Sequence, residues 1–314
     1  MNLTNWFLYL CLKQEIMIHA PALRQGDTVA IVATARKNIL PNLQPAIELL
    51  ESWGLGVQIG HSIGLDNHQL AGTDAQRATD LQVQLENPNI KAIWCVRGGY
   101  GTVRMIDLVD FSPLKNHPKW IIGFSDVTVL HAHLHQLGFS SIHGLMPVNV
   151  EKASPEALES LRKILFNEPL HFQLPYQSEN QLGSATGELM GGNLSILYSL
   201  MGSASQLDGK EKILFIEDLD EYLYHLDRMC MGLKRSGLFA QLKGVIVGTF
   251  SQMHDNEIPW GKSAYEILAE HLSPLNIPIV YHFPAGHIAD NRALPFGKNA
   301  RLTVSKSGTQ LQID

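Results

Sequence analysis

Short apolar runs of strand length alternate with amphipathic runs of helix length through the first half of the chain. That alternation predicts an α/β fold whose core is a doubly wound parallel sheet with helices on both faces. A second observation is the run Trp120-Ile121-Ile122, which passes into Gly123, Phe124, Ser125 and Asp126 with no polar interruption before the serine. A continuous apolar run of this kind suits a strand buried on both faces. The third is the stretch 167–184, rich in Pro, Gln, Ser and Asn, which reads as a linker. The expected organisation is an N-terminal domain over 17–166, the linker 167–184, and a C-terminal α/β domain over 185–314.

The elements follow in order. Gly26 and Asp27 turn into a first buried strand ending near Ala33. Leu43, Ala46, Ile47, Leu50 and Trp53 recur at helical spacing, and Gly54 supplies the stop. A short strand over 56–60 precedes an amphipathic helix over 73–86 that starts at a Thr73-Asp74 cap. Residues 91–96 form another buried strand, and a glycine-rich turn then opens a helix to Val109. The strand before Ser125 and a helix over 126–137 come next, with Asp126 and Thr128 suiting its first turn. Beyond the linker, strands are expected near 213–217, 244–250, 277–281 and 301–304, interleaved with helices.

Composition excludes several functions. The chain has 314 residues, enough for two cored domains, and carries a net charge of −6. That balance leaves no basic footprint for nucleic acid or an anionic membrane. Cys11, Cys95 and Cys230 are scattered and form no C-x-x-C pair, which argues against a disulfide framework or a zinc knuckle. Cys95 lies within an apolar strand pattern and reads as a core residue. The apolar run 6–12 is too short to span a bilayer, and no basic region precedes it. Residues 1–16 are read as a dispensable extension before Met17, and the protein is expected in the cytoplasm.

Four places could carry chemistry. Ser125 falls at a tight strand-to-helix turn at the carboxyl end of the sheet, where a nucleophilic serine belongs; a serine that only caps a helix fits the same local sequence. Val96-Arg97-Gly98-Gly99-Tyr100-Gly101-Thr102 lacks both the third glycine of a dinucleotide loop and the Lys of a Walker loop. Its N–H groups could instead face an oxyanion, or its glycines could serve only a tight turn. Glu217 ends the apolar run 213–216 at a strand's carboxyl edge, while Asp218, Asp220 and Glu221 read as helix capping and solvated surface. His287 follows Gly286 on a polar loop. The run His131, His133 and His135 invites a metal, but only the first and last share a helix face and no further ligand completes a site.

Together, Arg97 to Gly101, Gly123-Phe124-Ser125-Asp126, Ile216-Glu217-Asp218 with Asp227-Arg228-Met229, and Gly286-His287 resemble the LD-carboxypeptidases, serine peptidases that trim murein tetrapeptide. His143-Gly144 and Gly191-Gly192-Asn193-Leu194-Ser195 add to the likeness, although the family's His-Gly-Pro-Met reads here as His143-Gly144-Leu145-Met146-Pro147. The resemblance runs from about Gly26 to the C-terminus. It implies a flavodoxin-like N-terminal domain, a site in the cleft between domains, a triad of Ser125, Glu217 and His287, a homodimer, and no metal or cofactor. In that triad His287 takes the Ser125 proton and Glu217 holds the ring. The N–H groups of Gly99 and Asp126 become the oxyanion donors. A carboxypeptidase also needs a cation for the terminal carboxylate; Arg97 and Arg228 stand first, with Arg104 and Arg292 also available. The G-x-S-x-G elbow is absent because position 127 is Val. Two other readings stay open: an amidase like the microcin C self-immunity proteins, which uses the same triad on an acyl-adenylate, and a non-catalytic small-ligand module.

Overall fold

Thr28–Val32, with every residue after the first buried, forms β1 of a six-stranded sheet, next to its edge. The computed structural model describes residues 17–313. Around β1 lie β2 (Gly56–Ile59), β3 (Ile90–Cys95), β4 (Trp120–Gly123), β5 (Ser141–His143) and β11 (Leu294–Phe296). Their order is β11-β5-β4-β3-β1-β2, parallel throughout except for β11. The first five strands thus have the 2-1-3-4-5 order of flavodoxin-like folds.

Alternate residues of β1 serve the two faces, as the period of a strand requires. Ala30 and Val32 pack with Ala78, Leu81 and Leu85 of α2 (Asp74–Glu86), and with Leu130 and Leu134 of α4 (Thr128–Gln136). Val29 and Ile31 pack with Ala46 and Leu50 of α1 (Gln44–Ser52), and with Leu161 and Leu165 of α5 (Pro155–Leu165). Helix α2 begins where the sequence reading puts it: Thr73 and Gln76 make a reciprocal capping box. Its far end is held by Lys119 Nζ, which donates to the carbonyls of Gln84, Leu85 and Asn87 at 2.8–2.9 Å.

The second sheet has seven strands in the order β10-β9-β8-β7-β12-β13-β6. The parallel part comprises β7 (Gly183–Asn193), β8 (Lys212–Leu219), β9 (Gly244–Ser251) and β10 (Ile279–Val280). An antiparallel part adds β12 (Asn299–Ser305), β13 (Gly308–Ile313) and β6 (Leu170–Leu174). Helices α6 (Leu194–Ser199), α7 (Leu223–Arg235) and α8 (Ala264–Leu272) bury Leu194, Leu226, Met229 and Leu268 against Leu214 and Ile216 of β8.

Several readings need correction. The stretch 167–184 is not a free linker: Leu170 and Phe172 are buried on one side of β6, which pairs with β13, and β7 starts at Gly183. Strand β11 lies in the second half of the chain yet closes the first sheet, so that sheet draws on both sides of the boundary. The helix after Ser125 is preceded by a separate 3-10 turn, Ser125–Val127, and the one after the glycine-rich loop is short, α3 (Thr102–Met105). Residues 1–16 and Cys11 lie outside the described residues. Among those described, no helix is long and apolar enough to cross a membrane.

Candidate active site

Strand β4 is buried along its whole length and ends at Gly123. A Cβ at that position would come within 2.8–3.1 Å of the Val127 side chain, so the chain can turn this sharply only on glycine. Phe124 is still extended, and Ser125 then takes φ +62°. A non-glycine residue in the left-handed region is strained by about 1–2 kcal/mol. The strand-to-helix turn has the shape of a nucleophile elbow, although it lacks the usual glycine two residues on. His131 steadies it: Nε2 lies 2.9 Å from the Gly123 carbonyl and Nδ1 2.8 Å from Ser141 Oγ. A carbonyl only accepts, so Nε2 bears the hydrogen and the ring is neutral. Burial, partly offset by the bond to Gly123, pushes its pKa down to about 4.

The other two histidines of the run also find protein partners. His133 Nδ1 meets Ser205 Oγ at 2.9 Å, and His135 Nε2 meets Glu188 at 3.1 Å. Among the described residues no cluster of three His, Cys, Asp or Glu side chains has metal-binding geometry.

Glu217 and His287 come from the other sheet. Glu217 lies near the carboxyl end of β8 and is fully buried. His287 Nδ1 donates to its Oε2 at 2.7 Å, which leaves Nε2 free to act on a proton. The approach depends on Gly286 at φ +123°, where a Cβ would lie 2.9 Å from Glu217 Oε2. Asn291 Oδ1 accepts the Gly286 N–H at 2.8 Å and fixes the loop. The His287 ring packs against Phe124 with centroids 4.8 Å apart, which sets it beside the residue preceding Ser125. No hydrogen bond joins Ser125 to His287 in this structure, a common state of such pairs without substrate. Burial opposes a charge on His287, but the charge and hydrogen bond of Glu217, aided by Asp218, outweigh it and raise its pKa.

Asp218, read from sequence as solvated surface, is buried. Its Oδ2 takes the Ser195 N–H and its Oδ1 takes Asn193 Nδ2, both at 2.8 Å. Burial and the neighbouring Glu217 charge push its pKa up to about 7. Asn193 Nδ2 also reaches Glu217 Oε1 at 3.3 Å, and the Asn193 N–H donates to Thr128 Oγ1 at 3.0 Å. Asn193 thus ties the acid in one sheet to the helix that follows the serine in the other.

The loop after β3 faces Ser125. Gly98 is the residue in contact: a Cβ there would lie 3.1 Å from Ser125 Oγ and 3.3 Å from the Asp126 nitrogen. Gly99, at φ +112°, lies against Arg36 instead. The Asp126 carboxyl points away into the fold, where Oδ2 accepts the Thr102 N–H at 2.9 Å. Of the four arginines singled out, Arg97 is half-buried on this loop with its Nε unpartnered. Arg104 and Arg292 are paired with Asp74 and Asp290. Arg228 lies exposed over the Tyr224 ring on α7. Sequence reasoning missed Arg36, and it named Thr128 and Asn193 without the contact that joins them. Arg36 follows the first strand at its carboxyl end, the edge where ligands bind in such sheets, and that position was the available signal.

The parallel strands β4 and β8 thus carry a strained serine and a buried carboxylate, and the histidine bound to that carboxylate packs on Phe124, the residue before the serine. The class so defined is a serine hydrolase on an α/β scaffold. Within that class the chain belongs to the LD-carboxypeptidase family, whose N-terminal domain matches residues 29–144 and whose C-terminal domain matches residues 186–302. It is 33% identical to a probable murein peptide carboxypeptidase of Bacillus subtilis over 291 residues, 91% of each chain. It is also 33% identical to a murein tetrapeptide carboxypeptidase of Pseudomonas aeruginosa, over 87% of this chain and 92% of that one. The crystal structure of a muramoyltetrapeptide carboxypeptidase from Oxalobacter formigenes superposes with a TM-score of 0.81 at 29% identity, covering 91% of this chain and 98% of that one. A microcin C7 self-immunity protein shares the fold, with a TM-score of 0.83 at 22% identity over 94% of this chain and 98% of its own.

Proposed function

We propose that the protein is a serine LD-carboxypeptidase that hydrolyses the amide to the terminal D-alanine of murein tetrapeptide, giving tripeptide and D-alanine. The observation that carries this reading is the 2.7 Å bond from His287 Nδ1 to the buried Glu217, set beside the strained Ser125 turn. In the mechanism His287 Nε2 takes the Ser125 proton as Oγ attacks the scissile carbonyl. The oxyanion is held by the N–H groups of Gly99 and Asp126. Collapse expels the D-alanine amine, which receives the proton from His287 and leaves an acyl-Ser125 ester. Water, deprotonated by the same ring, attacks the ester, and the tripeptide carboxylate and the Ser125 hydroxyl are released. Arg97 and Arg228 are the assigned substrate-binding arginines, Arg97 being the one that lies near the serine. No cofactor takes part.

The assigned setting is cell-wall recycling in the cytoplasm, as a homodimer. Two free buried thiols, Cys95 and Cys230, suit a reducing compartment, and sedimentation or light scattering tests the dimer.

The test is incubation of the purified protein with murein tetrapeptide, with and without EDTA, beside Ser125→Ala. EDTA-resistant loss of one alanine by mass spectrometry, absent in the variant, is the expected result. No loss from folded wild-type protein overturns the reading and turns attention to acyl-adenylates, then to non-catalytic binding.

A further inference from the structure

An exopeptidase must sense the free end of its substrate as well as the bond it cuts. In a C-terminal residue the carboxylate carbon is only three bonds from the scissile carbonyl, so the sensing group has to lie a few ångström from the nucleophile. Two arginines bring positive charge to the loops around Ser125. Arg36 and Arg97 follow β1 and β3, strands adjacent to each other and, through β3, to the β4 strand that leads to Ser125. Arg36 lies over Gly99, where a Cβ would stand 2.5 Å from its Cδ and 2.6 Å from its Nε. The adjacent Gly98 is the residue against Ser125 Oγ. One short loop therefore separates the Arg36 side chain from the hydroxyl.

Two features show that these cations are not neutralised inside the protein. Among the described residues no salt bridge joins either to a carboxylate, in contrast to Arg104 and Arg292. Arg97 Nε is buried without a hydrogen-bond partner, although buried guanidinium N–H groups are normally satisfied. Burial, aided by repulsion from the nearby Arg36, lowers the Arg97 pKa. Two like charges held together beside a reactive centre, one with an orphaned donor, form a receptor for an anion, and a guanidinium fork matches a carboxylate. Asp126, next to Ser125, has Oδ2 engaged by Thr102 and feels the charges of Arg77 and Arg36 without a salt bridge to Arg36.

We infer that Arg36 and Arg97 jointly bind the free terminal carboxylate of the substrate and so make the enzyme an exopeptidase, with the specificity residing in the N-terminal domain. This rests on the carboxypeptidase reading above. The substrate carboxylate keeps its charge throughout the reaction, so its binding contributes equally to ground and transition states and appears mainly in KM.

The experiment compares murein tetrapeptide with the same peptide ending in a carboxamide, in wild type and in Arg36→Ala and Arg97→Ala, with Arg36→Gln and Arg97→Gln as larger, polar, uncharged replacements should the alanine variants not fold. Wild type is expected to favour the free acid by at least tenfold in kcat/KM. Each soluble variant is expected to reduce that acid-to-amide ratio about tenfold, chiefly through KM for the acid. A ratio unchanged in soluble variants overturns the inference while leaving the carboxypeptidase reading intact, as does a wild type indifferent to the amide cap. A wild type that cleaves neither peptide overturns the carboxypeptidase reading and the inference with it.

Discussion

Ser125 combines two demands that conflict in one residue: its backbone is strained at φ +62°, and its hydroxyl is placed where an acyl group would be attacked. Stability and activity should therefore separate there. Ser125→Gly relieves about 1–2 kcal/mol of left-handed strain, less the roughly 0.5–1 kcal/mol that glycine loses in chain entropy. A small rise in melting temperature with loss of activity is the expected pair of results, and a drop in melting temperature would show that the strain is not released. Ser125→Ala should lower kcat by on the order of 10⁴-fold or more with the fold intact. His287 supplies the pH dependence. In the proposed mechanism its neutral ring is the base, so activity should fall as pH drops and the ring protonates. Because Glu217 and Asp218 outweigh burial and raise its pKa, the acid limb of kcat/KM should lie above the ordinary histidine value of 6.5. Glu217→Gln removes the charge that raises it, so the limb should move to lower pH while kcat drops by about 10²–10⁴-fold. A limb that stays in place would assign it to another group.

At the scale of elements, the serine and its partners are held in register by contacts between the first turn of α4 and the end of β7. Gly192 is pressed so closely on Thr128 that a Cβ there would stand 2.5–2.6 Å from its side chain. Asn193 then bridges Thr128, Glu217 and Asp218. Asn193→Ala leaves two adjacent buried carboxyl groups without their shared donor, at a cost of about 1–3 kcal/mol. It should also lower kcat at least tenfold with KM little changed, because Asn193 positions the acid and does not touch substrate. Lys119 offers the contrasting case. Lys119→Met deprives three carbonyls at the end of α2 of their donor and should lower stability by about 1–3 kcal/mol with kcat unaltered. Denaturant titration beside steady-state kinetics distinguishes the two. These elements also show what the sequence could and could not reveal. Helix α2 was legible because its cap, Thr73 with Gln76, is a local signal. The Ser125 turn was legible because an apolar strand ends there on Gly123. Strand β6 was not, since Leu170 and Phe172 give only two inward positions amid polar neighbours. Asp218 was misread because a carboxylate buried among Asn193, Ser195 and Leu219 looks locally like any other acid in an acidic run. Arg36 and Asn193 act through residues far away in the chain, so local pattern marks at most their position and not the contacts they make.

For the whole molecule, the decisive feature is that the two domains of the sequence reading do not divide the two sheets cleanly. Strand β11 pairs antiparallel with β5, Leu294 opposite His143 and Phe296 opposite Ser141, across about half the chain. Three buried residues give too short a pattern to be read alone, and their partner is set by the fold, not by neighbours. The consequences reach the site. Phe296 and Phe215 both pack on the ring of His143, whose Nε2 meets the same Asn291 Oδ1 that accepts the Gly286 N–H beside His287. The first sheet, the second sheet and the catalytic loop thus share one buried cluster. A fragment ending at residue 166 retains Ser125 and both arginines but loses β11, Phe215, Glu217 and His287. It should expose the edge of β5 and the apolar face that Leu294 and Phe296 cover, and an open apolar edge promotes association. The expected outcome is a fragment that aggregates or melts well below the full chain and releases no alanine from tetrapeptide. Adding the complementary piece in trans should restore both properties together, because one set of contacts closes the sheet and completes the site. A monomeric fragment with native-like melting would show instead that β11 is an ornament on an independent domain, and full activity from that fragment would remove Glu217 and His287 from the mechanism.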